Sequence, residues 1–286
     1  MASPAAQTLR QAAKLNLTDP RRKGNVVYLD DVELEFIVAG DIHGQRQLLA
    51  KTIDYASLGS ATKRVLLLQE LIHGPMDPVS GHDRSIELLL RAARLKVSAG
   101  QKLVFVMGNH ELAQLTGNEI TKQGRGVCKS FAAGVRFCFA QDAEEVLEAM
   151  SEFTMSMPLA VRCANGVMLS HSLPDSRRMA TAGLEILDRP YQQEDLIRGG
   201  PVYEWTWGRT QDDQQTDKLA DQLGVNFFVL GHRRIDQGWE MVTTRAVALA
   251  SDHEHGCLLR FRLSDELNSE NIASHIRPLA ALGTKR

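Results

Sequence analysis

Cysteine, net charge and long apolar runs are all scarce in this 286-residue chain, and each scarcity narrows what the chain can be. The four cysteines, Cys128, Cys138, Cys163 and Cys257, lie far apart with no CxxC pair. That spacing excludes a small disulfide-stapled framework and reads as reduced, mostly buried thiols. Lysine and arginine number 33 against 35 acidic residues, a formal net charge of -2. No global positive field draws the chain to a nucleic-acid polymer or an acidic membrane, so recognition of an anion has to be local. No segment approaches the roughly 18 apolar residues of a membrane span, and MASPAAQTLRQAAKLNL lacks the apolar core of a secretory signal. A cytoplasmic location is the expectation. Internal repeats and low-complexity tracts are missing as well, which argues against a solenoid.

What is present is a hydrophobic content of 43%, ample for an extensive core. Residues 1–25 read as an N-terminal helical extension ending in the polar run TDPRRKG, and 26–286 as a single domain. Glu33 to Gly40 (ELEFIVAG) is a strand pattern ending at Asp41, and the helical pattern RQLLAKTIDYASL follows it. Lys63 to Gln69 is a second apolar run ending at Glu70. The helical pattern SIELLLRAARLKV then leads to Lys102 to Met107, which ends at Gly108-Asn109. Successive βαβ units imply a parallel sheet whose ligands gather beyond the carboxyl ends of the strands, where Asp41, Glu70 and Asn109 all fall.

Downstream, Phe131 to Thr154 is expected to be helical, and Leu159 to Cys163 with Gly166 to Ser170 to form a hairpin closed by His171. Asp213 to Leu223 reads as a helix before the strand Asn226 to Leu230, which ends at Gly231-His232. RAVALAS and CLLRFRL are expected as antiparallel strands completing a second sheet. The fold class is therefore α/β, two packed β-sheets flanked by helices in an α/β/β/α sandwich.

Asp41-Ile42-His43 sets a carboxylate and an imidazole two residues apart between Gly40 and Gly44, a spacing that suits one metal ion or, read blandly, a turn with a capping aspartate. Gly108-Asn109-His110-Glu111 places an amide oxygen and an imidazole where a helix begins; Asn109 as N-cap is the plain alternative. His171 and His232 each close an apolar strand, a position where a single histidine is usually a structural hydrogen-bonder.

GDIHG, GNHE, LSHS and LGH, in this order and at these strand ends, resemble the calcineurin-like metallophosphoesterase superfamily, nearest to bacterial phosphoprotein phosphatase-like members, over residues 35 to 262. The resemblance implies two divalent metal ions (Mn, Fe or Zn). Asp41 and His43 would hold the first, and Asn109, His171 and His232 the second. The family's GDxVDRG segment is replaced by Gln69-Glu70-Leu71-Ile72-His73-Gly74-Pro75, so Glu70 takes the bridging position with a side chain one methylene longer. His73 stands where the family's second acid orients the catalytic histidine, and Gly74 where an arginine clamps phosphate. Arg84 is a candidate replacement for that charge or an exposed helix-start arginine. Arg209, in Glu204-Trp205-Thr206-Trp207-Gly208-Arg209, resembles the family's tryptophan and arginine segment and suits bidentate phosphate contact.

The catalytic roles implied are His110 as general acid toward the leaving oxygen, less basic for having His73 as neighbour, and Arg209 as stabiliser of phosphoryl charge. Asp252, His253, Glu254 and His255 form a polar turn or a loop touching substrate. The expected activity is hydrolysis of a phosphate monoester, possibly a phosphoprotein, by a metal-activated water. The alternatives are a nucleotide or dinucleoside polyphosphate hydrolase, and a metal- or phosphate-binding module weakened by the altered segment. The expected partner is a phosphorylated protein or small molecule, with neither nucleic-acid polymer nor membrane.

Overall fold

Alternation along the strands decides the layers. Phe36 and Val38 face one way and Ile37 and Ala39 the other, all buried, and Val65 and Leu67 alternate with Leu66 and Leu68 in the same manner. Strands apolar on both faces have to be covered twice. In the computed structural model, which describes residues 3–59, 63–122, 124–175 and 183–283, they are.

Among the described residues the strands form a seven-stranded sheet, a five-stranded sheet and a short hairpin. The larger sheet comprises β1 (Arg22–Lys23), β2 (Val26–Leu29), β8 (Ala160–Cys163), β9 (Val167–Ser170), β10 (Phe227–Leu230), β11 (Trp239–Thr243) and β12 (Ala246–Leu249). Its order is β1-β2-β8-β9-β10-β12-β11. The smaller sheet comprises β3 (Glu35–Asp41), β4 (Arg64–Gln69), β5 (Leu103–Phe105), β13 (Cys257–Arg262) and β14 (Ile276–Pro278), in the order β14-β13-β3-β4-β5. The hairpin pairs β6 (Thr121–Lys122) with β7 (Arg125–Gly126). Phe36, Val38, Val65 and Leu67 meet Val161, Leu169, Phe227 and Val247 in one apolar core between the sheets. The opposite faces pack under helices in a second core, giving the layered α/β architecture expected from the strand patterns.

β3, β4 and β5 run parallel and are joined through α2 (Arg46–Ala56) and α3 (Ser85–Ala99). β8 and β9 form the expected antiparallel hairpin. The expectation for the last strands fails: β12 lies parallel to β10 in the seven-stranded sheet, and β13 lies antiparallel to β3 in the other. The chain between them crosses from sheet to sheet at Ala250-Ser251, where Ala250 bridges to Asp41 and Ser251 Oγ accepts from Gly40 N at 2.9 Å. Neighbouring strand patterns carry no information about such a crossing, because two strands a few residues apart fit either arrangement.

The N-terminal helix α1 (Pro4–Leu17) docks on the helical layer, against α3 and α5 (Ala143–Met155). Ala6, Leu9 and Ala12 are fully buried on one face at helical spacing. Arg10, on another side, reaches Glu145, Glu148 and Glu152 on α5. The buried face supplies most of the docking energy, since exposed ion pairs contribute little. Leu9→Ala should therefore lower unfolding stability by about 2 to 5 kcal/mol, while Arg10→Ala should change it far less; urea denaturation of both variants measures the contrast.

Candidate metal centre

Five strand ends converge. Asp41 is the last residue of β3 and Glu70 follows β4; Asn109 opens α4 (Asn109–Thr116) beyond β5; His171 follows β9; His232 comes two residues after β10. Asp41, His43, Glu70, Asn109, His110, His232 and Arg209 line one cavity of about 450 Å³. His171, fully buried, contacts that group from within, its Nε2 lying 3.0 Å from Asn109 Oδ1 and 3.2 Å from His232 Nδ1.

The turns that aim these side chains are strained. Among the described residues six non-glycine residues have positive φ, and four of them are His43 (42°), Glu70 (45°), His73 (58°) and His232 (67°). Such backbone costs on the order of 1 to 3 kcal/mol per residue and persists only where surrounding structure enforces it. Gly108 makes room for the longer Glu70 side chain, because a Cβ there would collide with Glu70 Cγ. The Glu70 carboxylate also caps α4, Oε1 accepting from His110 N at 2.9 Å.

Hydrogen positions follow from outer partners. Gln69 Nε2 donates to Ala39 O at 3.0 Å, which turns Gln69 Oε1 toward His171 Nδ1 at 2.9 Å. An amide oxygen only accepts, so Nδ1 carries the hydrogen and His171 Nε2 is a lone pair. That lone pair faces Asn109 Oδ1, His232 Nδ1 and, at 3.3 Å, Glu70 Oε1. His232 Nδ1 is 2.7 Å from Asn109 Oδ1, and its Nε2 is buried without a hydrogen-bond partner. Likewise His43 Nδ1 donates to Ile72 O at 3.3 Å, leaving its Nε2 lone pair 3.1 Å from Glu70 Oε2. The lone pairs of His43 Nε2 and His171 Nε2 thus face the two oxygens of one carboxyl, that of Glu70. Such spacing fits a divalent cation, whose octahedral ligands at roughly 2.1 Å stand about 3 Å apart.

The donor atoms group in two sets within 4.8 Å, His43 with Glu70 and His110, and Asp41 with Glu70 and His171. Glu70 belongs to both, one oxygen toward His43 and the other toward His171. Asp41 thus groups with His171, where the family pattern pairs it with His43. Desolvation dominates the electrostatics. Burial pushes the Asp41 carboxyl up to about 8, Glu111 up to about 7 and Glu70 well above its ordinary range, while His43 falls to about 4 and His232 to about 3. His110 and His171 are held well below theirs by burial and by neighbouring histidines.

Replaced family positions have structural consequences. Gly74 packs directly on Gly44, so no side chain fits there. Arg84 sits at the start of α3 with its guanidinium paired to Glu87, and it lines a neighbouring cleft instead of this cavity. Arg209 lines the cavity. Its backbone N donates to Asp175 Oδ1 at 2.6 Å, its carbonyl accepts from Arg233 at 2.8 Å, and Trp207 meets His232 edge-on at 6.2 Å. The polar turn divides: Asp252 and His253 reach the cavity, Glu254 only the adjacent cleft, and His255 pairs with Glu254 at 3.6 Å in solvent. Sequence reasoning gave no role to Gln69, Asp175 or Lys122, whose parts here depend on contacts made only in the folded chain.

A family model described as calcineurin-like phosphoesterase matches residues 34–233. Among solved structures the chain is similar to a protein serine/threonine phosphatase from Saccharomyces cerevisiae with similarity to human phosphatase PP5. That match has 16% identity and a TM-score of 0.67, covering 90% of this chain and 81% of that one. It is also similar to a cold-active protein-tyrosine phosphatase from a psychrophilic Shewanella species, at 15% identity and a TM-score of 0.61 over 93% and 84% of the two chains. At such identities the likeness is one of fold.

The raised carboxyls set a pH dependence for the metal-free protein. Above about pH 7.5 the site histidines are essentially neutral both folded and unfolded, since the ordinary value is 6.5 and their folded values lie below it. Asp41 and Glu111, at about 8 and about 7, still hold protons in the folded chain that the unfolded chain released near 3.8 and 4.5. Stability is lost as pH rises through these folded values. Chelator-treated protein should melt at a lower temperature at pH 8.5 than at pH 7.5, and added divalent metal should raise the melting temperature more at pH 8.5; a flat profile contradicts this account of the burial.

Proposed function

We propose that this chain, which belongs to the calcineurin-like phosphoesterase family, is a metal-dependent phosphatase that hydrolyses phosphate monoesters, phosphoproteins among them, at the cavity lined by Asp41, Glu70, Asn109 and Arg209. The observation that carries this reading is the pair of donor groups sharing Glu70, whose two oxygens face His43 Nε2 at 3.1 Å and His171 Nε2 at 3.3 Å. In our assignment two ions of Mn, Fe or Zn are held by Asp41, His43, Glu70, Asn109, His171 and His232, with Glu70 serving both. Cations there would lower the pKa of an attacking water and offset phosphoryl charge.

The chain's own groups supply the rest. Arg209, on a loop fixed by Asp175 and Arg233, reaches the equatorial oxygens of the phosphoryl group. His110 stands on the cavity wall and exchanges a proton with the leaving oxygen. Burial of the cavity's inner wall excludes bulk water and strengthens each of these contacts.

A second reading, hydrolysis of a nucleotide or dinucleoside polyphosphate, draws support from the four cationic side chains on the cavity wall, Lys122, Arg209, Arg233 and Arg234. Arg233 and Arg234 are paired with Glu240 and Asp236, and Lys122 together with Arg209 suits a second phosphoryl group. Turnover of p-nitrophenyl phosphate and bis-p-nitrophenyl phosphate after metal reconstitution tests both readings. Monoester turnover should be lost in Glu70→Gln and Asn109→Ala and fall about 10²- to 10³-fold in Arg209→Ala. Diester or anhydride preference moves the assignment to nucleotides, and inactivity of a metal-loaded wild type overturns the hydrolase reading.

A further inference from the structure

His73 and Gln114 take no part in the chemistry above, yet they extend it. Gln114 lies four residues after His110 on α4, so both side chains stand on one face of the helix. The His73 ring is held between them. Its Nδ1 is 2.8 Å from His110 Nδ1 and its Nε2 is 3.0 Å from Gln114 Oε1. His73 is only 2% exposed, and Phe131 packs against the ring edge-on at 5.6 Å. The loop carrying it adopts positive φ at His73 to insert the ring.

The direction of the hydrogens in this chain follows from its outer end. An amide oxygen accepts only, so the hydrogen between Gln114 and His73 sits on His73 Nε2. Burial pushes His73 down to about 4, which leaves the ring neutral at pH 7 with a single N–H. His73 Nδ1 is then a lone pair, and the hydrogen in the 2.8 Å contact belongs to His110 Nδ1. His110 is left with Nε2, on the far edge of its ring, as the nitrogen that takes up or releases a proton.

We propose that Gln114 is a positioning residue which, through His73, fixes the tautomer of His110 so that proton exchange with the leaving group takes place at Nε2. A neutral His73–Gln114 pair thus does by hydrogen-bond direction what a carboxylate does by charge. The role assigned to His110 rests on the phosphatase reading; the hydrogen direction does not.

Two measurements separate them. In the zinc-loaded wild type, ¹⁵N-detected histidine spectra should show His73 protonated at Nε2 and His110 at Nδ1. A His73 ring protonated at Nδ1 corresponds to the reverse orientation of the Gln114 amide and overturns the proposal whether or not the protein is an active phosphatase. Gln114→Leu should mix the His73 tautomers, whereas Gln114→Glu, which keeps an acceptor at the same place, should preserve them. In turnover, Gln114→Leu should lower kcat for phenyl phosphate at least about 10-fold more than for p-nitrophenyl phosphate, because the poorer leaving group depends more on proton delivery. Gln114→Glu should restore the ratio. Equal loss on both substrates marks Gln114 as merely structural and overturns the proposal; wild-type inactivity overturns the phosphatase reading and leaves the spectra to decide the relay.

Discussion

Three buried carboxylates at the junction of two sheets set the terms for everything around them. Asp41, Glu70 and Glu111 are each at most 5% exposed, and negative charge at such depth is costly unless cations or donors meet it. Donors answer part of the demand: His110 N reaches Glu70, Leu71 N reaches Glu111 at 2.9 Å, and His232 N reaches Asp41 at 3.1 Å. The Glu70 oxygens also face His171 Nε2 and His43 Nε2, whose outer hydrogen bonds have turned their lone pairs inward, while Glu111 Oε2 is buried without a hydrogen-bond partner. The fold thus builds a place that is unfavourable when empty and favourable for a cation, and spends backbone strain at four turns to hold it.

Glu70 shows how one altered residue redistributes its surroundings. A carboxylate one methylene longer than aspartate needs space beyond the strand end, and Gly108 provides it. Extra length also lets the two oxygens separate in role, one facing His43 and the other facing His171 while capping α4. The loop after Glu70 then turns back tightly enough for Gly74 to rest on Gly44, which removes any position there for a phosphate-clamping side chain. Arg84 does not take its place, being paired with Glu87 over the neighbouring cleft. Positive charge at the cavity comes from the opposite wall, where Asp175 and Arg233 fix the backbone of Arg209.

Much of this was legible in the sequence, for a physical reason. Apolar runs ending in Asp41, Glu70, Asn109, His171 and His232 report strand ends directly, and parallel strands bring their carboxyl ends to one side. What lay hidden depends on distance across the fold. Gln69 orients His171 from 102 residues away, and its place as the last residue of a strand looks like ordinary core. Gln114 reads as one more polar residue on a short helix until His73 is seen beside it. The separation of β12 from β13 into different sheets rests on the crossing at Ala250-Ser251, which has no periodic signature, and the grouping of Asp41 with His171 joins ends of strands from different sheets.

The same crossing shapes access to the centre. Ser251 N donates to Asp41 O at 3.0 Å, so the chain that joins the two sheets is also tied to a strand end at the cavity. Directly after it, Asp252 and His253 form a wall shared with a second, larger cleft of about 740 Å³, and His253 is held there by Ile235 O at 2.8 Å. The buried end of the cavity and the partition between the two open spaces therefore belong to different parts of the fold. The buried side is fixed by strand ends and tolerates little change, whereas the partition is a surface turn whose residues can vary without disturbing either core. On the proposed hydrolase reading, selection among leaving groups at this turn would be physically separable from the chemistry at the buried wall, because each is carried by a different part of the fold.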